Sequence, residues 1–424
     1  MSGPSGGRLP SAGGEYIGPS DATPTTASGI TNASGNVSVI LNSGAVAGPV
    51  TITAAVSVGS ASATASSSVI SIGGGVPSGR HFDLVTKTFN LPGLVFSNIQ
   101  TTLSAFIADR FGNYNVLQGT TVSFYAFESG AVNTSSNTLD NTGATSVVFR
   151  TQAPPPERVA MTTAEGTAIT NLNTRYFTNG TLPAAIAIDG SVNPRNGWVT
   201  VFAGVMGEET FNDLNGNGLY DGTEPFTDLG EPFADKNNDG CRNDGASANC
   251  NSTAPPDPFE EYIDTNGNGA YNAPNGVWDG PGCTGANCLT NKMIWKDITL
   301  AFTGNAAYCA AAATDLTGAA STFTLANGDT RRVFFMVGDR NLNRLVPGTT
   351  ISIASSGAVA LTPPPPSALT IADGVGGPTE ISFTISDPDP ATTTVNPAPY
   401  TLTISVTPTQ NVIGCALQVS GTTK

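Results

Sequence analysis

Short apolar runs that alternate with polar positions dominate the chain, and helix-period runs are hard to find. Val50-Thr51-Ile52-Thr53, Val199-Thr200-Val201-Phe202 and Thr401-Leu402-Thr403-Ile404-Ser405-Val406 are β-branched and short, the signature of strands. Leu103-Ser104-Ala105-Phe106-Ile107 and Val333-Phe334-Phe335-Met336-Val337 read as buried strands, each followed by a polar turn. The pattern predicts an all-β chain. Gly 49, Pro 30 and a charged fraction of only 12% fit frequent turns between short strands.

The strand pattern repeats along the chain. Asp109-Arg110-Phe111-Gly112-Asn113 leading to Gly119-Thr120-Thr121-Val122-Ser123-Phe124 parallels Asp339-Arg340-Asn341-Leu342-Asn343 leading to Gly348-Thr349-Thr350-Ile351-Ser352-Ile353. Ser34-Gly35-Asn36-Val37-Ser38-Val39-Ile40-Leu41 lines up with Thr142-Gly143-Ala144-Thr145-Ser146-Val147-Val148-Phe149. Val50-Thr51-Ile52-Thr53-Ala54-Ala55-Val56 likewise resembles Val199-Thr200-Val201-Phe202-Ala203-Gly204-Val205, with about 40 extra residues before the second copy.

These motifs resemble the bacterial immunoglobulin-like domains of the invasin and intimin type. The middle copy carries all three of the family's elements, the N-terminal copy only the last two, and the C-terminal copy the first. The resemblance implies tandem immunoglobulin-like β-sandwiches in a surface protein, with no shared catalytic residues. A chain of 424 residues is too long for one core. We place a partial sandwich at residues 1–76, a full one at 77–206, an irregular acidic insert at 207–294 and a third sandwich at 295–424. The first unit lacks early strands, so another chain or upstream sequence is expected to supply one.

Charge sharpens the picture at the insert. Between Gly207 and Thr290 stand fifteen acidic residues against Lys236 and Arg242, which accounts for −13 of the net charge of −15. Scattered Lys and Arg residues argue against nucleic-acid binding. Within the insert, Asp213-Leu214-Asn215-Gly216-Asn217-Gly218-Leu219-Tyr220-Asp221-Gly222-Thr223-Glu224 fits the twelve-residue calcium loop. Ca²⁺ takes six to eight hard oxygens, here the side chains of Asp213, Asn215, Asn217 and Asp221, the carbonyl of Leu219 and a bidentate Glu224, with Gly218 at the sharp turn. A second loop offers Asp235, Asn237, Asp239, the carbonyl of Cys241 and Asn243, and needs Asp244 or a distant acid to complete it. A third offers Asp264, Asn266, Asn268, the carbonyl of Ala270 and Asn272, with Asp279 as a substitute final ligand. Pro225, Pro232 and the glycines forbid long flanking helices. The loops therefore resemble dockerin and thrombospondin-type calcium repeats more than sensor EF-hands, and imply structural calcium whose binding energy becomes folding energy. Glu224-Pro225-Phe226, Glu231-Pro232-Phe233 and Asp257-Pro258-Phe259 recur between loops, each Phe a small anchor.

Six cysteines permit fifteen pairings. Cys241–Cys250, Cys283–Cys288 and Cys309–Cys415 are the simplest set, and disulfides imply an oxidising compartment. No apolar run reaches the length of a membrane span, and Met1-Ser2-Gly3-Pro4 begins no signal peptide, which suggests a fragment or an altered start. An enzyme is not expected: His81 stands alone and no serine sits in a Gly-x-Ser-x-Gly elbow. The chain reads as an extracellular or cell-surface structural or adhesive protein, stiffened by calcium between its second and third sandwiches. Its expected partners are copies of itself, other surface proteins, or a host or polysaccharide ligand. Alternatives are a filament or sheath subunit completed by a neighbour's strand, and a non-catalytic binding module of a larger secreted enzyme, although Trp198, Trp278 and Trp295 are few and scattered for polysaccharide.

Overall fold

The computed structural model describes residues 1–7, 14–18, 25–44, 48–72, 75–177, 185–215, 220–236, 240–244, 259–313, 323–362, 368–389 and 397–423. The fold class is all-β, as the alternation predicts, with two immunoglobulin-like sandwiches in tandem. Among the described residues, the N-terminal segment differs from expectation. β1 (Tyr16–Ile17) pairs with β2 (Leu41–Asn42), β3 (Gly48–Val50) with β6 (Ile70–Ile72), and β4 (Thr53–Val58) with β5 (Ala61–Ser66), three two-stranded pieces rather than a partial sandwich. Every residue of the β4–β5 hairpin is exposed, and apart from Val56 and Val58 its side chains are small Ala, Ser and Thr.

The first sandwich comprises β7 (Phe82–Thr86), β8 (Asn90–Leu91), β9 (Gln100–Ile107), β10 (Thr121–Ala126), β11 (Ala131–Val132), β12 (Ser136–Thr138), β13 (Ala144–Arg150), β14 (Trp198–Gly207) and β15 (Lys292–Phe302). One sheet runs β12-β10-β14-β15-β8 and the other β11-β13-β9-β7. Alternate residues of each strand fill the space between them, with Phe124, Phe149, Val199, Val201, Val205, Leu300 and Phe302 at its centre.

β15 corrects the sequence-based boundary at 294/295. It pairs antiparallel with β14 over ten residues, from Trp198↔Ala301 to Gly207↔Lys292. The acidic insert is therefore an excursion between two neighbouring strands of one sheet, and it is not the link between sandwiches. β14 is buried along nearly its whole length: Val199, Val201, Ala203 and Val205 face the core, while Phe202 on the outer face is covered by the insert.

The second sandwich is built from β16 (Ala306–Ala313), β17 (Phe323–Leu325), β18 (Thr330–Asp339), β19 (Thr350–Gly357), β20 (Ala360–Thr362), β21 (Leu369–Thr370), β22 (Thr379–Ser386), β23 (Ala398–Thr407) and β24 (Cys415–Thr423). Its sheets run β16-β18-β22-β20 and β17-β24-β23-β19-β21, and the disulfide Cys309–Cys415 ties one to the other. Cys283–Cys288 is also formed. Cys241 is disulfide-bonded, while Cys250 lies outside the described residues.

The two sandwiches meet through polar groups that the repeat places at their ends. Asp109 accepts from the amides of Phe111 and Asn113, and Asp339 accepts from those of Asn341 and Asn343, so the repeated turns have one geometry. At the second turn Asp339 also accepts from Gly304 N at 2.9 Å, and Asn343 receives the Trp198 indole N–H at 3.2 Å and donates to Pro194 O at 2.9 Å. From the other side, Asp373 accepts from the amides of Phe89 and Asn90. Gly197 lies so close that a β-carbon there would stand 2.5 Å from Phe302 O and 2.8 Å from Asn343 Nδ2.

One helix escapes the period-based reading. α1 (Thr163–Tyr176) begins in a capping box between Thr162 and Glu165 and lies in the excursion between β13 and β14. Ile169 and Tyr176 pack on Ala310, Ala312 and Met336 of the second sandwich, and Arg175 and Tyr176 both reach Glu380 at 2.8 Å. Polar Thr and Asn residues occupy most of its other face, so its apolar stripe is weak in the sequence.

Candidate metal centre

The insert is organised by a motif that the sequence reading missed. Glu209-Thr210-Phe211-Asn212-Asp213, Glu224-Pro225-Phe226-Thr227-Asp228, Glu231-Pro232-Phe233-Ala234-Asp235 and Glu260-Glu261-Tyr262-Ile263-Asp264 share the spacing Glu-x-aromatic-x-Asp. The aromatic residues pair as antiparallel bridges, Phe211↔Phe226 and Phe233↔Tyr262. Each Asp begins a loop, and each Glu closes the loop begun by its partner in the bridge.

The closure is the same each time. Glu224 accepts from the amides of Leu214 and Asp221, the second and ninth residues of the Asp213 loop. Glu260 accepts from Lys236 and Asn243 at those positions of the Asp235 loop. Glu231 accepts from Thr265 and Asn272 of the Asp264 loop. Glu231 and Glu260 are thus the distant acids that the second and third loops lack locally. All three are buried; Glu224, with one amide on each oxygen, keeps a lone pair on each for a cation, while Glu231 Oε1 also accepts from the Thr265 hydroxyl at 3.0 Å.

A fourth loop is split. Asp228 accepts from the amides of Asn275 and Gly276, as Asp264 does from Asn268 and Gly269. Glu209 accepts from Leu229 and Asp279, which stand where positions two and nine stand elsewhere. Residues 231–273, which carry the Asp235 and Asp264 loops, are inserted within it. Asp279 therefore belongs to this fourth loop and does not complete the third, a correction to the expectation from spacing.

The described ligand candidates face one another within their loops. Asn215 donates to Asp221 at 2.5 Å, and Asn266 and Asn268 both donate to Asn272 at 2.8 Å. Asp264 accepts from Gly267, Asn268 and Gly269; these amides, Gly269 first, hold its carboxyl below its ordinary value and keep it ionised. Gly240, Gly269 and Gly276 at position six have φ of 80°, 77° and 82°, a conformation that favours glycine. Asn217, Leu219, Asn237 and Asp239 lie outside the described residues. Among those described, no group of three or more His, Cys, Asp or Glu converges as a metal cluster. The third loop offers one carboxylate of its own, Glu231 and amide oxygens, a hard-oxygen set that suits calcium.

Each bridged pair has a small aromatic core. Phe211, Phe226, Tyr220 and Trp278 form one, with Tyr220 stacked on Trp278 at 4.9 Å. Phe233, Tyr262 and Tyr271 form the other, with the Arg242 guanidinium 4.6 Å above Tyr262 where the first core has a ring. The sandwich holds both. Arg110, from the repeated turn, pairs with Glu208 and lies over Phe211 at 5.4 Å. Phe233 packs edge-on to Trp295, which rests on Phe202 and donates to Gly230 O at 3.0 Å. Trp278 is buried, and Trp198 and Trp295 are half-buried.

No protein-family model matches the chain, and no curated protein matches it. Among solved structures it is similar to the adhesin InvE of Yersinia pseudotuberculosis, with 8% identity over 83% of this chain and 61% of that one and a TM-score of 0.21. It is also similar to the D0-D1 domain of intimin, with 9% identity, 80% and 97% coverage and a TM-score of 0.19. A third is trypsin-activated α2-macroglobulin from Escherichia coli, with 12% identity, 88% and 20% coverage and a TM-score of 0.18. The chain spans 61% of the InvE chain. The all-β fold rests on the sheets themselves.

Proposed function

We propose that the chain is an extracellular, non-enzymatic structural or adhesive module of a surface protein, in which Ca²⁺ folds the acidic insert against the outer face of one sandwich. The observation that carries the reading is the repeated closure of the Asp213, Asp235 and Asp264 loops by Glu224, Glu260 and Glu231. Asp213, Asn215, Asp221 and Glu224 would hold one ion, Asp235, Asn243 and Glu260 a second, and Asp264, Asn266, Asn268, Asn272 and Glu231 a third. The ion supplies the positive charge that lets these carboxylates gather, and the chain supplies their positions. Disulfides support an oxidising location, and the hydrogen-bonded joint supports a stiff tandem of sandwiches.

Thermal unfolding with 1 mM calcium and with chelator tests this. At a hundredfold excess over Kd one site adds about 2.7 kcal/mol of stability, so the midpoint should rise by several degrees. Identical curves, with no calcium bound, would remove the reading.

Filament assembly by strand exchange has one observation in its favour, the exposed β4–β5 hairpin with Val56 and Val58 in solvent. Sedimentation across a concentration series separates the two readings, since a strict monomer excludes assembly.

A further inference from the structure

The fourth loop differs from the other three in what stands at its centre. Lys292 is the first residue of β15, the strand that receives the chain from the insert. Its ammonium lies 2.8 Å from Glu209 Oε1, 2.9 Å from Asp279 Oδ2 and 3.8 Å from Asp228 Oδ1. These are the closing glutamate, the ninth-position side chain and the first-position side chain of the loop, the groups assigned to the cation in the other three. The third position of this loop is Gly230, which has no side chain to offer. A β-carbon there would stand 2.7 Å from the Tyr271 hydroxyl and 2.9 Å from Pro274, so the neighbouring pair excludes a ligand at that point.

We propose that the Lys292 ammonium is the resident cation of the fourth loop. The insert then takes calcium at three loops and not four, and its base on the sandwich is closed without metal. Glu209 stands two residues after the end of β14 and Lys292 opens β15, so their ion pair clasps the two ends of the insert. The three metal loops lie beyond that clasp and fold on a foundation that already exists when calcium is absent. A covalently tethered charge costs no binding equilibrium, and burial strengthens its attraction to three carboxylates.

The inference rests on the calcium reading of the other loops, and ion counting separates the two. Native mass spectrometry of the full chain in millimolar calcium is expected to show three bound ions. Lys292→Met and Lys292→Gln are expected to show one ion more than the parent, and in chelator to lose amide protection at Leu229 and Asp279. Equal counts in parent and variants, with ions bound, overturn the role of Lys292 and leave the calcium loops standing. No ion in the parent but one in the variants overturns the loops and keeps Lys292. No ion in either overturns both. Variants that fail to fold even in calcium also overturn the proposal, because the metal should then replace the ammonium.

Discussion

Phe211 and Phe226 pair by an antiparallel bridge, and the glutamate two residues before each closes the loop that begins two residues after the other. Phe233 and Tyr262 repeat the arrangement. Each loop is closed by the glutamate of its bridge partner's motif, so the folding unit of the insert is the bridged pair, with the second pair inserted within a loop of the first.

Glu231 should act on a loop that begins 33 residues after it in the chain. Glu231→Ala is expected to abolish one calcium site, leave two, and strand the amides of Thr265 and Asn272 at about 1–3 kcal/mol each. Glu261→Ala, beside Glu260 but with an exposed side chain, should leave all sites intact. Calorimetric titration of the two variants checks both outcomes.

The joint between sandwiches depends on Asn343, which is fully buried. Asn343→Ala leaves the Trp198 indole N–H and Pro194 O without partners, at about 1–3 kcal/mol each. A lower unfolding midpoint and a broader distribution of sandwich–sandwich distances in small-angle scattering are expected. A variant with the parent's midpoint and scattering would show that the contact does not hold the joint.

Several of these features were legible in the sequence, and the reason differs from residue to residue. The Asp213 loop is local, with its first and last ligands twelve residues apart inclusive, so spacing alone finds it. The turns at Asp109 and Asp339 are local too, and their shared amide contacts bear out the repeat. Glu231 and Glu260 act through contacts made by folding, which no window of spacing captures, although the Glu-x-aromatic-x-Asp recurrence was present to be found. β15 pairs within the first sandwich although its sequence lies beyond the insert, because strand pattern specifies a face and not a partner. α1 carries a recognisable capping box, but its apolar face is narrow and completed by a sandwich far along the chain.

Asp339 makes the joint sensitive to pH. Burial lifts its carboxyl from an ordinary 3.8 to about 6, against the lowering effect of the Asn343, Asn341 and Gly304 amides. The folded state holds this proton between about pH 4 and 6 where the unfolded chain has released it. The stability from this group is therefore complete below about pH 4 and is lost as pH rises through 6. The midpoint of the parent should fall relative to that of Asp339→Asn over this interval. Parallel profiles would contradict it.

Reduction should weaken the second sandwich more than the insert. Cys309–Cys415 closes a separation of 106 residues and Cys283–Cys288 one of 5. In the chain-entropy model the longer loop contributes about 4–5 kcal/mol. Paired Cys→Ala variants compared by denaturant unfolding should show the larger loss for Cys309 and Cys415.

Segment-resolved hydrogen exchange with calcium and with chelator tests the central claim most directly. The account predicts that chelator exposes the amides of Leu214, Lys236, Thr265 and Asn272, while Leu229, Asp279 and strands β10 and β13 keep their protection. Equal protection of the three loops in both conditions would contradict it.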